Sequence, residues 1–202
     1  MQQATGIILA GGKGSRINKD KALITLPDGA TLIQKCVHAL KKVVPHILII
    51  SDHEELYQDY GARVVKDLIS DKGPLGGIFT GLCYSTSYCN FVTGCDMPFP
   101  QPRVIECLLE RCDGKDVVIP EIAGEVEPLF AAYTKNCLPV IFDHLQNNDL
   151  KIRNILADLK VERVGEKEID KLDPGHLSFF NINTAEDLNK AQVLLSQISD
   201  SG

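Results

Sequence analysis

Short runs of consecutive apolar residues alternate along the chain with segments in which apolar residues recur every three or four positions. The runs rich in Ile, Val and Leu predict buried strands at 5–10, 47–50, 62–65 and 90–93. The segments with helical spacing lie at 31–42, 75–85 and 103–112. Strands and helices in alternation predict parallel strand pairing, and uninterrupted apolar strands are typical of a sheet covered by helices on both faces.

The second half of the chain is less regular. Its expected strands are 116–119 and 129–133, the second of which can pair antiparallel, and its expected short helices are 139–145 and 152–159. Thr184, followed three positions later by Asp187, predicts the capped start of a final helix. We therefore expect a three-layer α/β/α sandwich with a mostly parallel, Rossmann-like sheet. In such sheets ligands bind at the carboxyl ends of the strands.

Composition narrows the function classes. The 202 residues suit one domain, and the formal net charge of -6 argues against a nucleic-acid partner. We expect no signal peptide and no membrane span, because the N-terminus lacks a basic segment and no apolar run is long enough. The seven cysteines show no metal-binding spacing, so reduced, mostly buried thiols and a cytoplasmic location are expected.

A glycine-rich segment follows the first predicted strand directly. Gly11, Gly12 and Gly14 allow a tight turn whose backbone N–H groups can approach an anion, and Arg16 and Lys21 add two cations. The spacing fits neither the dinucleotide fingerprint nor the phosphate-binding P-loop. Together these residues could hold a triphosphate. A tight strand-to-helix turn with solvated basic side chains is the alternative interpretation.

Two aspartates follow predicted strands. Asp96 comes just after the fourth strand, before a proline-fixed turn, where a carboxylate can hold Mg²⁺ together with substrate phosphate oxygens. Asp67 comes after the third strand and could accept a hydrogen bond from a nucleoside. A turn or helix-capping role for Asp96, and a solvated loop position for Asp67, remain open.

The segment LAGGKGSR, followed by Asp20-Lys21, resembles the L-A-G-G-x-x-x-R-M-G-x-D-K signature of molybdenum cofactor guanylyltransferases. Further blocks resemble the same family in the same order, namely GPLGGI at 73–78, CDMPF at 95–99, PL at 128–129 and NINT at 181–184. The chain departs from the family pattern at Ile17, Asn18 and Ala185, where the family commonly has Met, Gly and Pro. The resemblance covers nearly the whole chain.

The resemblance implies a fold of the nucleotide-diphospho-sugar transferase type and Mg²⁺-dependent transfer of GMP from GTP to the terminal phosphate of molybdenum-bound molybdopterin. The catalytic residues it implies are Arg16, Lys21 and Asp96, with Asp96 as metal ligand. The nucleotide-binding residues it implies are Leu9, Ala10, Gly11, Gly12, Gly14, Lys21, Ser51, Asp67, Gly76 and Asp96. The acceptor-binding residues it implies are Pro128, Arg153, Asn181 and Asn183.

We expect one domain over 1–202, with a nucleotide-binding half at 1–100, an acceptor-binding half at 101–198 and a tail at 199–202. A monomer is expected, with a cofactor-insertion protein or a molybdoenzyme as a candidate partner. Two alternatives stay open at this point. One is a related nucleotidyltransferase that uses CTP or a sugar phosphate, and the other is a non-catalytic nucleotide-binding module that serves molybdoenzyme maturation.

Overall fold

The computed structural model describes residues 4–10 and 21–199, and the side chains of these residues up to 194. The strands in this part of the chain are β1 (Thr5–Leu9), β2 (His46–Ile50), β3 (Arg63–Val65), β4 (Cys89–Gly94), β5 (Val117–Ile122), β6 (Glu125–Val126), β7 (Phe130–Thr134) and β8 (Val161–Gly165). The α-helices there are α1 (Leu32–Leu40), α2 (Gly73–Tyr84), α3 (Pro102–Leu109), α4 (Cys137–Gln146), α5 (Ile152–Ile155), α6 (Glu166–Leu172) and α7 (Ala185–Ser199). Short 3₁₀ helices span Lys21–Leu23, Glu54–Leu56, Gln58–Tyr60, Leu156–Asp158 and Leu177–Phe179.

The strands form one mixed sheet in the order β3-β2-β1-β4-β7-β5-β6, with β8 paired to β5. β1 pairs in parallel with both β2 and β4, and β2 pairs in parallel with β3. β7 runs antiparallel to both β4 and β5, whereas β8 is parallel to β5. The carboxyl ends of β1 to β4 therefore meet at one edge of the sheet.

Helices cover both faces of this sheet. The core on one face contains buried side chains of α1, α3 and α6, and the core on the other contains those of α2, α4 and α5. A third cluster joins Leu26 and Phe99 to Ile182 and to Ala191 of α7. The predicted three-layer sandwich is therefore confirmed, because each sheet face is apolar and each helix contributes one apolar stripe.

Most predicted elements are present with shifted ends. β7 is antiparallel to its neighbours, as its position in the less regular half suggested. The predicted helix 152–159 is divided into α5 and a 3₁₀ turn. β6, β8 and α6 were not predicted from the sequence. No helix in the described part of the chain is long and apolar enough to cross a membrane.

One expectation about the cysteines is wrong. Cys89, at the start of β4, and Cys112, just beyond α3, form a disulfide with their Cα atoms 6.3 Å apart. The sequence could not indicate this pair, because the two residues lie 23 positions apart and only the packing of α3 on β4 brings them together. Cys36, Cys83, Cys107 and Cys137 are free thiols, as expected.

Candidate active site

The carboxyl ends of β1 and β4 stay joined beyond the last residues of the strands. Leu9 and Gly94 are partners in the parallel register, and the backbone N–H of Cys95 donates to the carbonyl of Leu9 at 3.2 Å. On the other side of β1, the N–H of Ala10 donates to the carbonyl of Ile50 at 3.0 Å. The residues that follow β1 and β4 therefore leave the sheet side by side, at the edge where α/β proteins bind ligands.

Asp96 lies at this edge, two residues past β4. Its carboxylate folds back over Gly94, so that a β-carbon at position 94 would lie 2.6 Å from Oδ1. Its backbone carbonyl accepts a hydrogen bond from the N–H of Ile182 at 2.9 Å. The Asp96 turn is thus tied to the segment that precedes α7, more than eighty residues further along the chain.

Lys21 connects the two segments through its side chain. Its Nζ donates to Oδ2 of Asp96 and to Oδ1 of Asn183, each at 2.9 Å. Lys21 and Asp96 are partly exposed, at 22% and 27% of their side-chain surface. Three residues singled out in separate sequence motifs therefore meet at one point. An ammonium group beside two oxygen ligands at an open edge can contact a bound anion on its remaining side.

The cap of α7 holds Asn183 in place. One carboxylate oxygen of Asp187 accepts from the backbone N–H groups of Asn183 and Thr184, at 3.0 and 2.9 Å. Oγ1 of Thr184 in turn accepts from the N–H of Asp187 at 3.1 Å. The predicted cap is therefore confirmed, and the hydrogen bond from the Asn183 backbone is the largest cause of a lowered pKa for Asp187. Asn181 is held differently: its amide donates to the carbonyl of Phe179 at 3.4 Å.

Ser51 and Asp67 lie at the same edge, just beyond the ends of β2 and β3. Ser51 follows β2 and is buried, and its Oγ accepts from the N–H of His53 at 3.1 Å. Oδ1 of Asp67 accepts from the hydroxyl of Thr80 at 2.7 Å. Burial raises the pKa of Asp67 above its ordinary value, and the nearby Asp52 carboxylate raises it further, while the Thr80 hydrogen bond opposes both. Asp67 is therefore a half-buried carboxylate rather than a solvated loop acid.

The glycines at the start of α2 serve close packing. A β-carbon at Gly77 would lie 2.9 Å from Cδ2 of Leu9, so a larger residue there would have to displace the end of the Leu9 side chain where α2 lies against β1. At Gly76, a β-carbon would lie 2.8 Å from Cβ of Lys72. Gly77 therefore lies at a close contact between α2 and β1.

The acceptor-side residues are arranged more loosely. The carbonyl of Pro128 accepts from the Tyr133 hydroxyl at 2.8 Å, and the carbonyl of Leu129 accepts from the N–H of Gly94 at 3.1 Å. Nη1 of Arg153 pairs with Oε2 of Glu125 at 2.5 Å, and both side chains are mostly exposed. Pro128 thus lies beside the end of β4, whereas Arg153 has no direct bond to Lys21, Asp96 or Asn183.

Glu127 is a residue that the sequence interpretation did not select. It is half-buried, and its Oε1 accepts from the N–H of Leu129 at 3.3 Å. Burial raises the pKa of Glu127, the charge of Asp96 adds to the rise, and the Leu129 N–H and Arg153 oppose it. The only signal in the sequence was its position directly before Pro128-Leu129. The carboxyl group of Glu127 thus interacts electrostatically with both Asp96 and Arg153.

Of the remaining residues predicted to bind the nucleotide, the structure describes Ala10 but not the glycine-rich segment. Ala10 is buried, and its carbonyl accepts from the Tyr57 hydroxyl at 3.4 Å. Gly11, Gly12, Gly14 and Arg16 lie outside the described residues. Within residues 4–10 and 21–199 no group of three or more His, Cys, Asp or Glu side chains is arranged to hold a metal ion.

Comparison with known proteins agrees with this geometry. Residues 6–164 match the family model described as a MobA-like NTP transferase domain. The chain is 37% identical over 194 residues to a protein of Pelotomaculum thermopropionicum named "Probable molybdenum cofactor guanylyltransferase", with 96% of this chain and 94% of that protein covered. It is 35% identical over 196 residues to the molybdenum cofactor guanylyltransferase of Desulfosudis oleivorans, with 96% and 97% covered.

Solved structures of other proteins superpose on this fold. The molybdopterin-guanine dinucleotide biosynthesis protein A of Archaeoglobus fulgidus superposes with a TM-score of 0.85 at 29% identity, over 96% of this chain and 99% of that one. The 4-diphosphocytidyl-2C-methyl-D-erythritol synthase of Anaerococcus prevotii has a TM-score of 0.72 at 17% identity, over 96% of each chain, and shares the fold alone. By its sequence, its sheet and the residues gathered at the sheet's edge, the chain belongs to the MobA-like nucleotidyltransferase family of molybdenum cofactor guanylyltransferases.

Proposed function

We propose that this protein transfers GMP from GTP to the terminal phosphate of molybdenum-bound molybdopterin, giving molybdopterin guanine dinucleotide and pyrophosphate. The pair of 2.9 Å hydrogen bonds from Lys21 to Asp96 and Asn183 carries the proposal. It joins a cation suited to phosphate, a carboxylate suited to a metal and an amide from the distal half of the chain. The names of the two bacterial relatives and of the Archaeoglobus protein support the same activity.

Residues on the two sides of this cluster suit the two substrates. We assign the nucleotide to the half formed by residues 1–100, with the triphosphate held by the segment Gly11, Gly12, Gly14 and Arg16 and by Lys21. The nucleoside would lie along Leu9, Ala10, Ser51, Asp67 and Gly76. We assign the acceptor to the half formed by residues 101–198, where Pro128, Arg153, Asn181 and Asn183 would contact it.

Mg²⁺ fits the oxygen atoms available beside Lys21. Oδ2 of Asp96 and Oδ1 of Asn183 both lie 2.9 Å from one ammonium nitrogen, so two oxygen ligands already converge on a cation. Mg²⁺ prefers oxygen ligands and usually takes only one or two from protein carboxylates, the rest coming from water and substrate phosphates. Asp96 would be its principal protein ligand. When bound, the ion would offset negative charge on the α-phosphate.

The side chains of this site would act by positioning and by charge. An oxygen of the molybdopterin phosphate forms a bond to the α-phosphorus, the bond from that phosphorus to the bridging β-phosphate oxygen breaks, and pyrophosphate leaves. The nucleophile is already an anion, so no general base is needed. Lys21 and Arg16 would stabilise the charge that builds up on the phosphate oxygens, and such preorganised charges are often the largest contribution to catalysis.

Pyrophosphate release by the purified protein tests the proposal. GTP, CTP, ATP and UTP are each supplied with Mg²⁺, with and without molybdopterin, and the dinucleotide product is identified by mass. We expect molybdopterin-dependent pyrophosphate release with GTP. Turnover with CTP alone, or with a sugar phosphate as acceptor, supports the related-transferase alternative. Tight GTP binding without turnover supports the non-catalytic module instead.

Lys115 provides a matched control for Lys21. Lys115 precedes β5 at the opposite edge of the sheet, and its Nζ pairs with Oε2 of Glu162 at 3.4 Å. Lys115→Ala removes one positive charge, as Lys21→Ala does, so the two variants have the same net charge. We expect it to retain turnover, so that a loss confined to Lys21→Ala reports on the site.

The proposal also covers the location, the oligomeric state and the partner proteins. Only two of the seven cysteines, the buried Cys89 and Cys112, are joined in a disulfide, and this low share supports a cytoplasmic location. We propose a monomer that passes its product to a cofactor-insertion protein or a molybdoenzyme.

A further inference from the structure

The hydroxyl group of Thr80 makes two hydrogen bonds in the interior of the protein. Thr80 lies on α2 and has no exposed surface. Its Oγ1 accepts from the backbone N–H of Leu68 at 3.0 Å and lies 2.7 Å from Oδ1 of Asp67. A backbone N–H can only donate, so the hydroxyl proton is left to point at Asp67. The hydrogen bond from Thr80 to Asp67 therefore has a fixed direction.

This bond leaves Asp67 with one oxygen held and the other available. Within the described part of the chain, Thr80 is the one residue that hydrogen-bonds the Asp67 carboxylate. The side chain is half-buried, and burial raises its pKa. A poorly matched hydrogen-bond partner costs a half-buried carboxylate more free energy than one in bulk water, because fewer water molecules can replace the missing hydrogen bond.

The position of Asp67 in the sheet favours contact with the base of a nucleotide. Asp67 follows β3, and β3 is separated from β4 by β2 and β1. Adjacent strands lie about 4.8 Å apart, so the ends of β3 and β4 are separated by roughly 14 Å. In a nucleoside triphosphate whose α-phosphate lies near Asp96, the base is the part that reaches farthest from the phosphates.

Guanine matches a carboxylate at this point better than the other bases do. Its N1–H and exocyclic amino group are two adjacent donors, and an ionised carboxylate is purely an acceptor. Adenine and cytosine present a ring nitrogen acceptor beside their amino group. That ring nitrogen would face a carboxylate oxygen with no proton between the two acceptors. A site built to accept hydrogen bonds discriminates strongly against such a ligand.

We propose that Thr80 is a positioning residue for guanine selection: its buried hydroxyl fixes Oδ1 of Asp67 and so directs the free oxygen at the donor edge of the base. This inference rests on the proposed function, and in particular on GTP as the nucleotide. It concerns selection and not the chemical step, so Thr80 should affect nucleotide affinity far more than turnover at saturation.

Kinetics of Thr80→Val and Thr80→Ser with GTP and ITP test this inference. ITP lacks the exocyclic amino group but keeps the triphosphate, the ribose and N1–H. We expect Thr80→Val to raise KM for GTP roughly tenfold with little change in kcat, because a directed hydrogen bond to a charged group is lost. The preference for GTP over ITP in kcat/KM should fall toward equality, and Thr80→Ser should restore it.

Thr134→Val is the matched control. Thr134 is a buried threonine on β7, and its hydroxyl lies 3.2 Å from the carbonyl of Asp116, away from the proposed nucleotide site. This variant also loses one buried hydroxyl, but it should keep the wild-type ratio of GTP to ITP. If Thr80→Val does not fold, Thr80→Ala provides the same comparison without a second methyl group.

Two results would overturn the inference. One is an unchanged GTP-to-ITP preference in Thr80→Val or Thr80→Ala. The other is an equal loss for both nucleotides that Thr80→Ser fails to restore, since that outcome indicates general packing. Failure of the proposed function looks different, because the wild-type protein would then show no molybdopterin-dependent turnover of GTP at all.

Discussion

The carboxylate of Asp96 occupies the space that a side chain at Gly94 would need. A β-carbon at position 94 would lie 2.6 Å from Oδ1 of Asp96, closer than two such atoms can approach. Gly94→Ala should therefore rotate or displace the Asp96 side chain without removing any charge. Because a misplacement of about 1 Å in a catalytic group can cost on the order of a hundredfold in rate, we expect kcat/KM for GMP transfer to fall by roughly that factor.

Gly165→Ala controls for the effect of an added methyl group. Position 165 ends β8, and a β-carbon there would meet no atom within 4 Å. Steady-state kinetics of both variants, with circular dichroism to check the fold, make the comparison. Equal activity of Gly94→Ala and the wild type would show that the observed position of Asp96 is unimportant.

The cap of α7 predicts a coupling between helix stability and the site. Thr184→Ala removes the oxygen that accepts from the N–H of Asp187, and loss of such a cap typically costs about 1 kcal/mol. Because the same cap orders the backbone of Asn183, turnover should fall as well. Urea unfolding and kinetics measure the two effects, and Thr184→Ser should preserve both properties. A Thr184→Ala protein of lower stability but full turnover would separate Asn183 from the site.

His144 predicts a pH dependence of stability. Its Nε2 lies 3.0 Å from Asp158 and its Nδ1 lies 3.0 Å from Asp149, and these two carboxylates, that of Asp158 foremost, raise its pKa above the ordinary value. A raised pKa in the folded state means that the ion pairs stabilise the protein fully below the unfolded-state value of about 6.5. That stabilisation is lost as pH rises through the higher folded-state pKa.

His144→Gln should therefore lower the free energy of unfolding more at about pH 5.5 than at about pH 8.5. The difference should be about 1 kcal/mol or less, the range of ion pairs near a protein surface. Chemical unfolding at the two pH values measures it. His38→Gln is the control, since His38 on α1 has no carboxylate partner among the residues described. A His144→Gln penalty that is independent of pH contradicts this account.

The sequence predicted the elements whose signal is local. β1, β2 and β4 are short apolar runs that are almost wholly buried, so their hydrophobicity alone identified them. β8 and α6 were missed for the opposite reason. β8 has a single buried residue, Val164, and α6 likewise buries only Ile169, so neither leaves a strong pattern. Their stability comes from pairing and packing with β5, which the local sequence does not record.

The site was predictable as separate residues but not as an arrangement. Lys21, Asp96 and Asn183 were each identified from a motif, yet the sequence assigned Lys21 to the triphosphate and Asn183 to the acceptor. The hydrogen bond between Lys21 and Asn183 joins residues 162 positions apart. It forms because the turn after β4 binds the segment before α7. Arg153 shows the converse, since the family resemblance singled it out while its partner, Glu125, lies on a hairpin strand that the sequence did not reveal.

The account depends on Lys21 and Asp96 acting on one nucleotide, and kcat/KM for GMP transfer in Lys21→Met, Asp96→Asn and the double variant measures this most directly. Each single change should lower kcat/KM by about 2 to 4 kcal/mol in activation free energy, as for other preorganised charges. The double variant should lose little more than the more damaged single variant, because groups that act as a unit are not additive. Near-wild-type turnover in either single variant, with Lys115→Ala unchanged, would contradict the assignment of this ion pair to the catalytic centre.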